Sequence, residues 1–164
     1  MLTVHVASSV GSLGAIGVFL MFAVTGVMAT DNTLIRAAYV AMGYCARLVV
    51  LPLLFAGVTS GIIQSLGTRW GLIRHYWVIA KLTLSALAIV VFLLQFDVIA
   101  YLEVWARQSD LRSAAVRSLQ WRPVIHSALG LLVMLVPVAL SIYKPAGLTP
   151  FGWRRWGTAP TAHA

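Results

Sequence analysis

Lys81 and His5 are the two side chains whose type and position are best suited to chemistry. Lys81 lies in the stretch "RHYWVIAKLTLSALAIVVFLLQF", residues 74–96, where it is the only charged residue after Arg74. An ammonium group in an apolar segment is costly unless it has a partner, and such groups often mark functional sites. His5 lies near the start of another apolar segment, and a neutral imidazole can bind a metal or accept a proton. Together, the two residues could serve an anionic or metal-containing ligand.

The composition indicates that both residues lie in a membrane. The chain of 164 residues is 60% hydrophobic and 10% charged, with a mean hydropathy of +0.91, whereas soluble domains carry roughly 25% charged residues. Its net charge of +8 comes from basic residues between apolar runs, not from a continuous basic stripe. This arrangement is typical of membrane-flanking charge. We therefore predict an integral membrane protein that contacts the lipid bilayer, and we exclude nucleic acid as a partner.

Four apolar segments are long enough to cross a hydrocarbon core about 30 Å thick, which takes about 20 helical residues. The predicted fold is an all-α bundle of four transmembrane helices in one domain, residues 1–164, with helices at residues 4–28, 43–66, 76–96 and 124–143. The first segment lacks the basic start of a secretory signal, so we expect a retained helix. The single cysteine, Cys45, permits no intrachain disulfide.

The connection between the third and fourth helices suggests a further element. Ser109 or Asp110 could cap a short helix there, and Leu111, Ala115 and Leu119 fall near one face. We predict an interfacial amphipathic helix at residues 109–120, with Pro123 in the first turn of the fourth membrane helix. The tail, residues 144–164, is predicted to lie along the lipid headgroups.

Three predicted helices carry small or polar faces near the same end of the bundle. With four crossings, both termini and the 67–75 loop share this end, which we call side A; the opposite end is side B. The faces are made up of His5, Ser9 and Ser12 on the first helix, of Gly57, Ser60, Gly61 and Gln64 on the second, and of Trp77, Lys81 and Ser85 on the third. We predict that they face one another around a polar pocket.

Simpler interpretations of the same residues remain open. Lys81 could extend its ammonium to the headgroups of side A, and His5 could be an ordinary interfacial histidine. On side B, Arg47 and His126 either extend towards the headgroups or form a second site or phospholipid contact. His5 and His126 begin helices at opposite ends, so they cannot ligate a single haem.

The distribution of basic residues gives an expected orientation. Five Lys or Arg residues fall on each side, but those of side A cluster in compact segments. We therefore expect a multi-pass protein of the cell (inner or plasma) membrane with both termini cytoplasmic. The counted residues are Arg69, Arg74, Lys144, Arg154 and Arg155 on side A, and Arg36, Arg107, Arg112, Arg117 and Arg122 on side B.

Short motifs carry a family resemblance. The histidine in "HVASSVGSLGAIG" and the Trp-xxx-Lys-Leu pattern in "WVIAKL" resemble the superfamily of HemJ-type protoporphyrinogen oxidases and the CopD copper-resistance membrane domain. The segments "GLIRHYWVIAKL" and "LSIYKPAGLTPFG" are similar to those of a group of uncharacterised bacterial four-helix integral membrane proteins. The resemblance extends over most of the chain. It implies binding of haem b, with the functional histidine and lysine mapping onto His5 and Lys81.

Two classes of function remain open. The first is a haem- or porphyrin-binding redox protein, with His5 as ligand to the haem iron or proton acceptor, Lys81 as the cation for a propionate, and Gln64 and Trp77 beside them. The second is a non-catalytic subunit that associates with partner membrane subunits, or a small-solute permease. A copper site is a weaker third option, because Met21, Met28, Met42 and Met134 are scattered.

Overall fold

The computed structural model describes residues 1–68, 71–108, 116–145 and 147–156, and residues 154–156 are described by their backbone alone. Four helical spans are long and apolar enough to cross a membrane: Leu2–Met28, Asn32–Leu66, Tyr76–Ala106 and Arg117–Tyr143. The first span, α1, packs against the second and fourth, and the third span also packs between those two. The chain therefore folds as an all-α bundle of four membrane-spanning helices.

The second span begins at Asn32, earlier than residue 43. It consists of α2 (Asn32–Cys45), a π-helical turn (Ala46–Val50) and α3 (Leu51–Leu66). Asp31 caps α2, since its carboxylate accepts hydrogen bonds from the backbone N–H groups of Thr33 and Leu34, each at 3.2 Å. The predicted start at residue 43 was wrong. An apolar run shows which residues can contact hydrocarbon, whereas the start of the helix also depends on its cap.

The π turn ends at Val50, two residues before Pro52. Proline has no N–H to donate to the carbonyl four residues earlier, and its ring clashes with that carbonyl in a regular α-helix. Widening the preceding turn relieves this conflict, and π turns of this kind are frequent near functional sites. Arg47 lies within this turn.

The third span also continues beyond its predicted end at residue 96. It comprises α4 (Tyr76–Leu94) and α5 (Phe96–Ala106), which meet at Gln95. The polar pair Gln95 and Asp97 ends the apolar run, but Ile99 and Leu102 of α5 are buried in the hydrophobic core. Tertiary packing therefore extends the helix into the region that we had assigned to a connection.

The fourth span, α6 (Arg117–Tyr143), begins before residue 124. Residues 117–120, which we had placed in a separate interfacial helix, form its first turn, and residues 109–115 lie outside the described part of the chain. Pro123 is therefore inside the helix and not in its first turn. Its buried ring packs towards the core, which offsets the lost backbone hydrogen bond.

The described part of the C-terminal segment is attached to the side A loop by hydrogen bonds of Gly147 and Thr149. Thr149 donates its backbone N–H to the carbonyl of Arg74 at 2.9 Å and its hydroxyl to the carbonyl of Ile73 at 2.7 Å. The hydroxyl oxygen of Thr149 also accepts from the Gly152 N–H at the start of α7 (Pro150–Trp156). Residues 157–164 lie outside the described part.

Packing is denser on side B than on side A. Tyr39, Met42 and Leu102 are fully buried there, together with much of the remaining core: Phe19, Ala23, Ala46, Val50, Ile99, Trp105 and Ala106. On side A the helices instead surround a cavity. The bundle is therefore closed by packing at one end and open to a ligand at the other.

Candidate functional site

The side A cavity lies between the first turns of α1 and α4 and the last turns of α3 and α6. Its volume is about 420 Å³, which is within the range of roughly 300–1,000 Å³ typical of small-molecule sites. All four residues that the sequence placed in this site line it: His5, Gln64, Trp77 and Lys81. Ser9, Ser12 and Ser85 also line it, as does Lys144 at the end of α6.

The ring of His5 is held by the neighbouring span. Its Nδ1 lies 3.0 Å from the carbonyl oxygen of Gly57 and 3.3 Å from the hydroxyl of Ser60. A carbonyl oxygen can only accept, so Nδ1 carries the proton, and in the neutral imidazole the lone pair is on Nε2. A histidine that donates one ring N–H to a carbonyl is the usual arrangement of a metal-binding imidazole.

Glycine at position 61 makes room for this ring. A Cβ added to Gly61 would lie 3.0 Å from Cε1 and 3.3 Å from Nδ1 of His5, closer than most real contacts. The small residues of α3 therefore do more than bring helices together, because one of them accommodates the imidazole. The sequence could indicate small-residue packing but not which side chain would use the space.

Lys81 points into the bundle. Its ammonium donates to the hydroxyl of Ser141 at 2.6 Å and lies 5.6 Å from the centre of the Trp77 ring, which is within cation–π range. The Ser141 hydroxyl in turn donates to the carbonyl of Pro137 at 2.8 Å, so its lone pairs remain available to Lys81. In the described part of the chain no carboxylate forms a salt bridge with Lys81. Ser141 is a partner that the sequence analysis missed.

Gln64 lines the cavity and has a buried amide oxygen. Its Oε1 is buried and has no hydrogen-bond partner in the described part of the structure. Leaving a buried amide oxygen unpaired costs about 1–3 kcal/mol. A ligand with a donor group would recover this free energy.

Several serines on or next to the predicted polar faces have partners on their own helices instead. The hydroxyls of Ser8, Ser12 and Ser60 donate to backbone carbonyls four residues earlier on their own helices. These bonds satisfy the hydroxyl protons, so these serines act chiefly as small packing residues. Among the polar groups at the cavity without such a local hydrogen bond are His5 Nε2, Lys81 Nζ and Gln64 Oε1.

On side B the structure brings together a charged cluster that the sequence analysis did not identify. Glu103 accepts from Arg47 at 2.5 Å and from Arg107 at 2.9 Å, and its side chain is only 10% exposed. The hydrogen bond that Arg107 donates to Glu103 raises the pKa of the Arg107 guanidinium. Arg47 also lies over the ring of Tyr44, 5.6 Å from its centre. The sequence offered one signal for this cluster, because Glu103 is one of only four acidic residues in the chain. Its arginine partners could not be identified without knowing that the third span continues through α5.

Nearby packing supports the same end of the bundle. Arg36 donates to the carbonyl of Ala106 at 3.3 Å and so caps the end of α5. Tyr39 and Trp105 form an edge-to-face pair with ring centres 6.0 Å apart. Arg47, which sequence analysis offered as a second site or headgroup residue, is thus part of the attachment between the second and third spans.

His126 lies apart from the side A cavity. Its Nδ1 donates to the carbonyl of Arg122 at 2.7 Å, which leaves the lone pair on Nε2. The residue lines a second, smaller cavity between α4 and α6, which we call the mid-bundle cavity. His5 and His126 therefore line different cavities. This agrees with the prediction that they begin helices at opposite ends of the bundle.

No family model, curated protein or solved structure matches this chain.

Proposed function

We propose that this protein is a membrane haem- or porphyrin-binding protein with its ligand, haem b or the parent porphyrin, in the side A cavity. The observation that carries the proposal is the hydrogen bond from His5 Nδ1 to the Gly57 carbonyl. It orients a neutral imidazole with its free Nε2 in a cavity that also contains a lysine. The resemblance of His5 and of Trp77-xxx-Lys81 to the HemJ-type pattern supports the same assignment.

The residues present fit such a ligand. His5 Nε2 would bind the iron, and Gly57 and Ser60 would fix the orientation of the imidazole ring. Lys81 would pair with a propionate, because an ammonium without a carboxylate partner favours an anion. Trp77 would supply an aromatic wall, and Gln64 Oε1 would accept a hydrogen bond from a propionic acid group or a pyrrole N–H.

Bound haem would supply one-electron redox chemistry, with a potential set by its axial ligand and surroundings. The chain's own residues bind and orient. Ser141 is a positioning residue, since it holds the Lys81 ammonium while its own proton is directed to Pro137. The apolar side chains of α1 and α6, including Leu13 and Val138, would exclude water from the ring.

We also propose that the protein resides in the cell membrane with side A towards the cytoplasm. The compact basic segments of side A support this orientation. Gly147 and Thr149 are bonded to the 74–76 segment at this end, which keeps the basic C-terminal segment close to the side A loop.

The test is to purify the full chain in detergent, supply haem, and record its visible spectrum and haem content. We expect a Soret absorption with about one haem per chain. His5→Ala should remove the imidazole that would bind the iron, and so shift or abolish this band. Lys81→Met should weaken haem retention roughly tenfold or more, because a charge-assisted hydrogen bond is worth about 1.5–3 kcal/mol.

Two further variants make the result specific. Val4→Ala is the control for His5→Ala, because Val4 is 55% exposed in the same helical turn and does not line the cavity. Lys81→Arg keeps the positive charge and should retain more haem than Lys81→Met. If the folded wild type binds no haem, or if His5→Ala and Lys81→Met bind it unchanged, the proposal is wrong. The alternative would then be a non-catalytic membrane subunit or a small-solute permease.

A further inference from the structure

The mid-bundle cavity is a second internal space, of about 250 Å³, between α4 and α6 with α1 behind it. Its walls are almost entirely apolar. An engineered apolar cavity of about 150 Å³ is large enough to bind benzene, so this one has room for a substituted aromatic ring. Two of its lining residues, Leu54 and Met134, also line the side A cavity. The two spaces are therefore neighbours, separated by a layer that includes these side chains.

The position of this cavity favours entry from the bilayer. Leu87 and Val91 of α4 and Leu129 of α6 line it, and all three are also exposed on the lipid-facing surface of the bundle. Residues that are both lining and exposed mark the place where a cavity reaches the surface. Because they lie within the membrane-spanning parts of α4 and α6, a ligand could enter sideways from the hydrocarbon without crossing the headgroups.

Three polar side chains line the otherwise apolar cavity: Gln95, His126 and Ser127, and the hydroxyl proton of Ser127 is donated to the Pro123 carbonyl. Gln95 lines the cavity at the junction of α4 and α5, and its Oε1 is buried without a hydrogen-bond partner in the described part of the structure. His126 also lines it, and its Nδ1 proton is directed to the Arg122 carbonyl, so Nε2 can only accept when the ring is neutral. A ligand that pairs with both Gln95 Oε1 and His126 Nε2 must bring two donor groups.

We infer that the mid-bundle cavity binds an isoprenoid quinol, with one ring hydroxyl donating to Gln95 Oε1 and the other to His126 Nε2. A quinol has two O–H donors on an apolar ring, and its tail would leave the cavity between Leu87 and Leu129 into lipid. Phe19 and Phe92 line the cavity and offer aromatic contacts to the ring. This inference goes beyond the proposed function, because it concerns a different cavity and does not require haem.

Other membrane molecules match the two acceptors less well. A fatty acid carboxylate is itself an acceptor, and none of the residues lining the cavity is lysine or arginine. A phospholipid acyl chain has no donor and would leave Gln95 unpaired. An oxidised quinone likewise has only acceptor oxygens, so we expect the reduced form to bind more tightly.

The test uses the full chain in lipid nanodiscs, free of haem, with decylubiquinol as the probe under anaerobic conditions. We expect saturable binding of one molecule per chain. The dimethyl ether of decylubiquinol has the same ring and tail but no O–H donors, and decylubiquinone has none either. Both should bind at least tenfold more weakly, since each lost hydrogen bond is worth roughly tenfold.

Variants locate the site. A Cβ on Gly130, which lines the cavity, meets no atom within 4 Å, so Gly130→Phe can fill the space without displacing backbone. It should abolish quinol binding. Gly14→Phe is the matched control, because Gly14 is also free of contacts but faces outward on α1 and lines neither cavity. It should leave binding unchanged.

Gln95→Leu and His126→Leu should each weaken quinol binding roughly tenfold while reducing the preference over the dimethyl ether. These substitutions keep the test decisive even if Gly130→Phe fails to fold. Equal binding of quinol and ether, or unchanged quinol binding in Gly130→Phe or in both leucine variants, would overturn the inference and indicate apolar partitioning only. Haem content is measured separately in the same variants, so failure of haem binding and failure of quinol binding give different results.

Discussion

Glu103 and Arg47 lie 56 residues apart on two different spans, yet their side chains form an ion pair with a 2.5 Å contact. The pairing depends on Gly43, because a Cβ at that position would overlap the Glu103 carboxylate. The carboxylate is also shared with Arg107, one turn further along the chain. A single acidic side chain thus holds two arginines beside the densely packed core of side B.

The first prediction concerns this cluster. Glu103→Gln should lower the free energy of unfolding by about 1–2 kcal/mol, because two charge-assisted hydrogen bonds are weakened while exposure of the arginine side chains moderates the loss. The measurement is thermal unfolding in detergent. Asp97→Asn is the comparison, because it removes an acidic charge from the same helix and neither described ion pair involves Asp97. It should lower the free energy of unfolding by less. Equal effects would show that Glu103 has no special stabilising role.

A second prediction follows from the hydrogen bond between His5 and Gly57. In ¹⁵N-histidine-labelled protein above the imidazole pKa, His5 should show a protonated Nδ1 and an unprotonated Nε2, with the resonance assigned by its loss in His5→Gln. Gly61→Ala should alter this signal, since its Cβ would crowd the ring. Gly14→Ala adds a methyl group where no atom lies within 4 Å, so it should leave the His5 signal unchanged. A protonated Nε2 in the wild type would contradict the described geometry.

A third prediction tests the close packing of α1 against α2. A Cβ on Gly26 would lie 2.5–2.8 Å from the ring of Tyr39, which is fully buried. Gly26→Ala should therefore destabilise the protein by about 1–3 kcal/mol through overpacking. Gly17→Ala, on the same helix with open space at its Cβ, is the comparison in thermal unfolding. The interpretation fails if the two variants unfold at the same temperature.

The fourth prediction concerns topology. In a Cys45→Ala background, Thr30→Cys and Gln108→Cys should react with a membrane-impermeant thiol reagent from one side. Thr3→Cys and Thr68→Cys should react from the other, because they lie at side A. With side A cytoplasmic, only the first pair should be labelled in intact cells. Labelling of Thr3→Cys and Thr30→Cys from the same side would contradict the four-span arrangement, and labelling of only the side A pair in intact cells would reverse the orientation alone.

The sequence by itself determined the membrane class and the four spans. Apolar runs of about 20 residues can satisfy their backbone polar groups in lipid only by forming helices, so composition and run length decide the secondary structure. The helical stripes of His5, Gln64 and Lys81 also indicated a shared polar end, because side-chain positions repeat along a helix with a fixed period.

Helix ends and specific partners were decided by the tertiary structure. The third span extends to Ala106 because Ile99 and Leu102 pack in the core. The sequence did not indicate this extension, because Gln95 and Asp97 interrupt the apolar run. The same extension places Glu103 beside Arg47 on a span far away in the sequence. Likewise, Ser141 became the partner of Lys81 only because α6 lies against α4. Each of these contacts joins distant segments, whereas periodicity within one helix specifies only which face a residue occupies.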